Sequence, residues 1–258
     1  MGFLEPIQHL FEQGPVFLLV LFRIGSLTLA GPVLGSASIP AKVKILFALA
    51  LSAAVFGLVP AAPVVVNSWA TLTVGVVHEL LIGLAMGFML TLMFQGVQIG
   101  AELVSQQMGL SFARLVDPNT QVTTTVLSQF YMLLVTIIYV LMNGHVVLIG
   151  SLVQTFKTVP LMGATYSQGM LELMVSVLTG SFALGIRVAG PALAAVFLAT
   201  LALGFISRTM PQLNILAAGF PLRIALAMVL LVASLGAVGV LFANDLTAMF
   251  AVLGRMFA

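Results

Sequence analysis

The chain reads as an all-α, polytopic membrane protein of about six apolar helical segments, and three observations lead there. Charge is scarce: 9 Lys and Arg plus 7 Asp and Glu make up 6% of 258 residues, where a soluble domain carries roughly 25%. So few charges cannot cover a globule of this size in water, and such high hydrophobicity also excludes a disordered chain. Apolar residues are abundant: 61% of 258 is about 157, and at about 20 per helical span that is enough for five to seven spans. Finally, these residues gather into six stretches, about 15–34, 45–66, 70–94, 126–153, 171–206 and 214–243. None alternates polar and apolar with period two, which excludes membrane strands.

In chain order, the first stretch is apolar all round apart from Arg23 and ends at a turn, Gly35-Ser36-Ala37-Ser38-Ile39-Pro40-Ala41-Lys42. Glycine and proline punctuate that turn, and its serines are suited to capping the next helix. The second and third stretches are also apolar on every side, as expected of helices buried in lipid or protein. Residues 95–125 form the longest polar segment, and 154–170 a shorter loop marked by glycine and proline. The fifth stretch is too long for one span, and Arg187 followed by Gly190-Pro191 predicts a broken helix or hairpin there. Gly219-Phe220-Pro221 predicts a kink early in the sixth. No fixed-period repeat or linker divides the chain, so 1–258 is expected to be a single membrane domain. Residues 1–14 carry Glu5 and Glu12 and no basic residue, the wrong sign for a cleavable signal peptide. If all six stretches span, Lys42, Lys44, Arg114 and Arg208 fall on one side and Lys157 and Arg255 on the other. The positive-inside rule then places the first set in the cytoplasm and the N-terminus outside.

The residue types needed for catalysis are not arranged for it. His9, His78 and His145 are far apart, and no cysteine is present, so neither a metal site nor a disulfide framework is expected. Neither a G-x-S-x-G elbow nor a phosphate-cradling G-x-x-x-x-G-K-[ST] occurs. A non-enzymatic protein without cofactor is the expectation. Ionisable residues within apolar surroundings are more informative: Arg23, Glu79, Arg187 and Arg223, with Glu102 and Arg208 at polar edges. A charge at the bilayer centre costs about 2.5–3.5 kcal/mol on insertion scales. Three arrangements offset that cost: pairing within the chain, with Glu79 the natural partner of an arginine; an aqueous pathway, as in a secondary transporter; or burial against other subunits.

Two further signals concern packing and gating. Gly83 with Gly87, and Gly96 with Gly100, form GxxxG patterns, which let helix backbones approach closely. Within 95–125, Gly109-Leu110-Ser111-Phe112-Ala113-Arg114 is followed by Val116-Asp117-Pro118. Gly109 permits an unusual backbone angle and Asp-Pro starts a turn. Leu110 and Phe112 are costly to expose, so this loop is expected inside a cavity or pore mouth; an ordinary surface loop is the plainer alternative.

Several blocks together resemble a known family. Arg23-Ile24-Gly25, Gly31-Pro32-Val33-Leu34-Gly35-Ser36 and Ile39-Pro40-Ala41-Lys42-Val43-Lys44 open the match. Gly109 to Ala113 with Val116-Asp117-Pro118, Asn143-Gly144-His145, Pro211-Gln212-Leu213-Asn214-Ile215 and Gly219-Phe220-Pro221-Leu222-Arg223-Ile224 continue it in order. This set resembles the FliR family of flagellar biosynthesis proteins. One departure is that the family often shows a glycine after Asp117-Pro118, where this chain has Asn119.

The resemblance implies a subunit of the flagellar type III export gate in the bacterial inner membrane, within the flagellar basal body. It implies assembly with FliP and FliQ, contact with FlhB, and passage of unfolded flagellar subunits. It further implies that the chain forms part of a helical channel wall lying partly above the lipid plane. There the buried charges meet neighbouring subunits, and a loop matching Gly109 to Pro118 helps plug the closed channel. Injectisome export gates share the fold and are the alternative within this class; a secondary transporter using Arg23, Glu79 or Arg187 is the alternative outside it.

Overall fold

A computed structural model describes residues 5–60, 68–109, 125–163, 168–210 and 215–256. Over these residues the chain is helical, with no strand. The helices are α1 (Glu5–Ala30), α2 (Ala41–Phe56), α3 (Trp69–Met108), α4 (Val126–Leu141), α5 (Gly144–Thr158), α6 (Gln168–Thr209) and α7 (Ile215–Met256). Four are long and apolar enough to cross a membrane, over Gln13–Ala30, Trp69–Met108, Glu172–Thr209 and Pro221–Val252. A fifth candidate is the bent pair α4 and α5, which turns by 63° at its break.

Length separates these helices into two kinds. α3, α6 and α7 have 40, 42 and 42 residues, which at 1.5 Å per residue is about 60 Å each. A hydrocarbon core is about 30 Å thick, so roughly half of each long helix must lie outside it unless steeply tilted. Burial differs as well: 61% of the α3 span is buried inside the chain, against 22% for α6 and 17% for α7. The α3 span is thus the most buried of the four, while α6 and α7 leave large apolar side chains such as Phe182, Ile186, Phe197, Phe205 and Val232 exposed.

Several sequence expectations change at the helix ends. The fifth stretch is neither broken nor a hairpin: α6 runs continuously through Pro191. A proline inside a helix crowds the carbonyl four residues back and the N–H and Cβ of the residue before it; that residue is Gly190, which has no Cβ and so removes one of these clashes. α1 repeats the device, with Gly14 before Pro15 inside the helix. α7 is also helical through Pro221, which follows Phe220 rather than a glycine, and a kink at that point is compatible with one continuous helix. The second stretch ends early, at Phe56, with Gly57 as its cap. Half of the polar segment is helix, because α3 extends to Met108. The break falls in the fourth stretch instead, at Asn143, whose φ of 55° and ψ of 31° are left-handed. Asparagine tolerates this region better than most residues, and the Asn143 carbonyl still accepts from the N–H groups of Val146 and Val147, at 2.9 and 3.1 Å.

The chain divides into two compact units, Met1–Leu92 with Asn143–Val177 and Ala248–Ala258, and Met93–Met142 with Leu178–Thr247. In the first, α1 packs on α2, with Phe17 edge-on to Phe56 at 5.7 Å. Its core is built from Leu19, Val20 and Ile24 of α1, Ile82, Met86 and Met89 of α3, and Leu152 and Phe156 of α5. In the second, Phe94 lies edge-on to both Tyr139 and Phe242, at 5.6 and 5.3 Å. Leu127, Tyr131, Val135 and Tyr139 form the buried stripe of α4 at four-residue spacing.

Candidate functional site

Arg23 and Glu79 are both completely buried in the first unit and form an ion pair between Arg23 Nε and Glu79 Oε2. The guanidinium has further partners. Its Nη1 donates to Thr155 Oγ1 at 3.1 Å, and both terminal nitrogens donate to the Val159 carbonyl at 3.2 and 3.3 Å. Its carbon sits 4.4 Å from the centroid of the Phe156 ring, a favourable cation–π position. The other carboxylate oxygen of Glu79 accepts from the Met162 N–H at 3.1 Å. Met162 has a φ of 63°, a left-handed conformation that costs a non-glycine residue about 1–2 kcal/mol. A charge-assisted hydrogen bond is worth about as much, so Glu79 holds the turn after α5 in a conformation it would not otherwise keep.

These contacts tie α1, α3 and α5 together through one charged knot. Of the three arrangements that offset a buried charge, Arg23 and Glu79 adopt pairing within the chain. Thr155, Phe156, Val159 and Met162 had no sequence signal as partners. They lie 132 to 139 residues from Arg23, and only the packing of α5 against α1 brings them there.

The glycine patterns face neighbouring backbones. A Cβ on Gly83 would fall on the Arg23 carbonyl and Ser26 hydroxyl, and one on Gly87 on Ala30 and Gly31. In the second unit, a Cβ on Gly96 would meet the Ser181 backbone, and one on Gly100 the Gly185 backbone. The first pattern thus seats α3 on α1, and the second seats it on α6.

A polar cluster occupies the second unit where α3 ends and α4 begins. Glu102 Oε2 accepts from Thr125 Oγ1 at 2.9 Å, Ser128 Oγ at 2.8 Å and the Thr125 N–H at 3.4 Å. Ser105 Oγ and Thr125 Oγ1 are 2.8 Å apart. Thr125 is also the N-cap of α4, its side chain accepting from the Ser128 N–H. The Thr125-Val126-Leu127-Ser128 cap was a legible signal ahead of an apolar run; its meeting with Glu102 was not. Gly109 ends α3 with a φ of 81°, the left-handed geometry its position demanded. Leu110, Ser111, Phe112, Ala113, Arg114, Val116, Asp117 and Pro118 lie outside the described residues.

The remaining charges are more open. Arg187 and Asp245 approach to 3.8 Å with side chains 57% and 31% exposed, a pair worth little by itself. Arg208 is exposed in the last turn of α6, where a cation complements the helix dipole. Arg223 is half-buried, and its Nε has no hydrogen-bond partner among the described residues. A cavity of about 560 Å³ in the same unit is lined by Met108, Leu127, Tyr131, Met228 and Leu231 among other apolar residues. Such a lining suits hydrocarbon rather than an ionic ligand. Among the described residues, no three His, Asp or Glu side chains converge on a point.

Buried charge, glycine-seated helices and exposed apolar faces are features of a membrane-embedded assembly protein, and comparison with known proteins names the kind. Residues 15–249 match the model of bacterial export proteins, family 1. The chain belongs to this family. Its relatives include the flagellar biosynthetic protein FliR of Escherichia coli (strain K12), 33% identical over 213 residues, covering 83% of this chain and 81% of the relative. FliR of Aquifex aeolicus (strain VF5) is 30% identical, covering 91% of both chains. FliR of Bacillus subtilis (strain 168) is 28% identical, covering 89% of this chain and 90% of the relative. The family match contains the whole Arg23–Glu79 knot, both glycine patterns and the Glu102 cluster.

Proposed function

We propose that the chain is a non-enzymatic subunit of the flagellar protein-export gate in the bacterial inner membrane. The observation that carries this is the family match over residues 15–249, joined by relatives whose names are all flagellar. Those names favour the flagellar system over an injectisome. In this reading α6 and α7 contribute to the channel wall. Their exposed apolar faces, interrupted by the half-exposed Arg187, suit contact with other helical subunits better than contact with lipid. FliP and FliQ are the expected wall partners, FlhB an adjoining one, and unfolded flagellar subunits the cargo.

The loop from Gly109 to Pro118 closes the channel at rest, with Leu110 and Phe112 as its obstructing side chains. A plug of this kind needs a rigid root and a yielding tip. The rooted end is present: α3 stops at the left-handed Gly109 after 40 helical residues.

Two measurements test this. The chain expressed alone should be unstable, and co-expression with FliP and FliQ should yield a complex of defined mass. In that assembled complex, shortening the 110–117 segment should raise resting ion conductance across the membrane. Unchanged conductance in an intact complex rejects the plug; a stable, solute-binding protein without partners rejects the gate subunit.

A further inference from the structure

α7 lines the cavity of the second unit with a regular stripe. Ile224, Met228, Leu231 and Leu235 face it, spaced four, three and four residues apart and hence on one side of the helix. From Ile224 to Leu235 the stripe rises by about 16 Å. A hydrocarbon core is about 30 Å thick, so the stripe has the depth of one leaflet. Met108 at the end of α3 and Tyr131 in the second turn of α4 complete the inner wall. Met108, Tyr131 and Leu231 are buried, whereas Phe130 and Met228, which also line the cavity, are exposed. The cavity therefore has a deep apolar wall and an open apolar rim.

A cation stands at one end of the stripe. Arg223 directly precedes Ile224, and the apolar span of α7 begins two residues earlier, at Pro221. The polar residues Arg208, Thr209, Gln212 and Asn214 come before it in the sequence. Helical side chains lean toward the N-terminus of their helix, so Arg223 reaches toward this polar end and away from the stripe. It is half-buried, and its Nε is closed off from solvent without a hydrogen-bond partner among the described residues. No carboxylate among the described residues pairs with it. Arg23, by contrast, is fully matched inside the chain. An arginine in an apolar span without such a match calls for an anion from outside the chain.

We infer that the cavity holds one acyl chain of an anionic phospholipid, whose phosphate is gripped by Arg223. Water does not suit the space, since an ordered water needs two to four polar partners and the lining is apolar. A neighbouring helix does not fit it either. At about 10 Å across, a helix occupies roughly 1,250 Å³ over a length of about 16 Å, twice the cavity's 560 Å³. A hydrocarbon chain is thin enough, enters from the bilayer through the apolar rim, and leaves its head group at the Arg223 end. Guanidinium and phosphate are matched in geometry as well as charge, and basic pockets between membrane helices suit phospholipid head groups. The site depends only on the chain lying in a membrane, not on its closing a channel.

The test uses the chain in its assembled complex, reconstituted in nanodiscs that contain a phospholipid with a diazirine on one acyl chain. Two probes are compared, phosphatidylglycerol and the net-neutral phosphatidylcholine. After illumination, peptide mass spectrometry should find phosphatidylglycerol adducts on Met108, Phe130, Met228 and Leu231. Phosphatidylcholine should label these residues about fivefold less, the equivalent of about 1 kcal/mol for one arginine at an anionic head group. Arg223→Gln should lower phosphatidylglycerol labelling to the phosphatidylcholine level, and Arg223→Lys should retain most of it. Met228→Trp, which fills the cavity from its exposed rim, should abolish labelling by both lipids.

Equal labelling by the two lipids, unchanged by Arg223→Gln, overturns the anionic head-group site. Adducts missing from the cavity residues of an intact complex mean that a protein neighbour fills the space, and overturn the lipid site altogether. Should Arg223→Gln assemble poorly, the two probes on the unaltered chain and the Met228→Trp variant decide the matter.

Discussion

The backbone carbonyl of Arg23 lies against Gly83, one helical turn from the Glu79 that the same arginine grips. A close helix contact of the first unit and its buried ion pair are therefore one construction. Glycine at 83 sets the separation of α1 and α3, and that separation places the guanidinium and carboxylate within reach.

Gly83→Ala should consequently do more than crowd a helix. The added methyl overlaps backbone that cannot swing aside, so α1 and α3 must part and the ion pair loosens. A loss of about 1–3 kcal/mol is expected from overpacking, with the weakened pair adding to it, read as thermal unfolding in detergent. Gly180→Ala is the control: nothing lies within 4 Å of its added Cβ, so it should be neutral or stabilising by up to about 1 kcal/mol.

Removing one charge from the knot should cost more than removing both. Glu79→Ala leaves an unpaired guanidinium cut off from solvent, and Arg23→Met leaves the carboxylate in the same position; each should destabilise by about 3–5 kcal/mol. The double replacement Arg23→Met with Glu79→Leu should recover much of that loss. Equal or additive destabilisation in the double-mutant cycle would show that the charges do not act as a pair.

The uninterrupted course of α6 through Pro191 makes a specific claim about its neighbour. Gly190 has open space around it, so Gly190→Ala meets no obstacle except the adjoining proline ring. The substitution should destabilise by about 1 kcal/mol next to Pro191 and become neutral or better in a Pro191→Ala background. Helical content by circular dichroism with melting curves separates the two cases.

Arg187 and Asp245 should behave as the opposite of the buried knot. Both side chains are partly open within the chain itself, so Asp245→Asn should change its intrinsic stability by less than about 1 kcal/mol. A larger effect on melting temperature would mean that the pair is closed off from water.

Much of the fold is legible in the chain itself. Composition alone requires membrane helices, because 16 charged residues in 258 cannot keep such a chain in water. The same scarcity makes Arg23, Glu79 and Arg187 conspicuous, and glycines at four-residue spacing announce close helix contacts at 83, 87, 96 and 100. Hydropathy could not register the break at Asn143, since apolar residues continue on both sides of it. An Asn-Gly dipeptide is nonetheless a turn signal, and it stands at the bend.

Partnership was the information that linear order did not hold. Arg23 meets Glu79 across 56 residues and Thr155 across 132, and Glu102 meets Thr125 across 23. Desolvation is local, so a charge in apolar surroundings is visible from its neighbours along the chain, whereas the group that neutralises it is chosen by which helices lie side by side. That choice belongs to packing: Gly83 against Arg23 sets the distance of α3 from α1, and Gly100 against Gly185 its distance from α6.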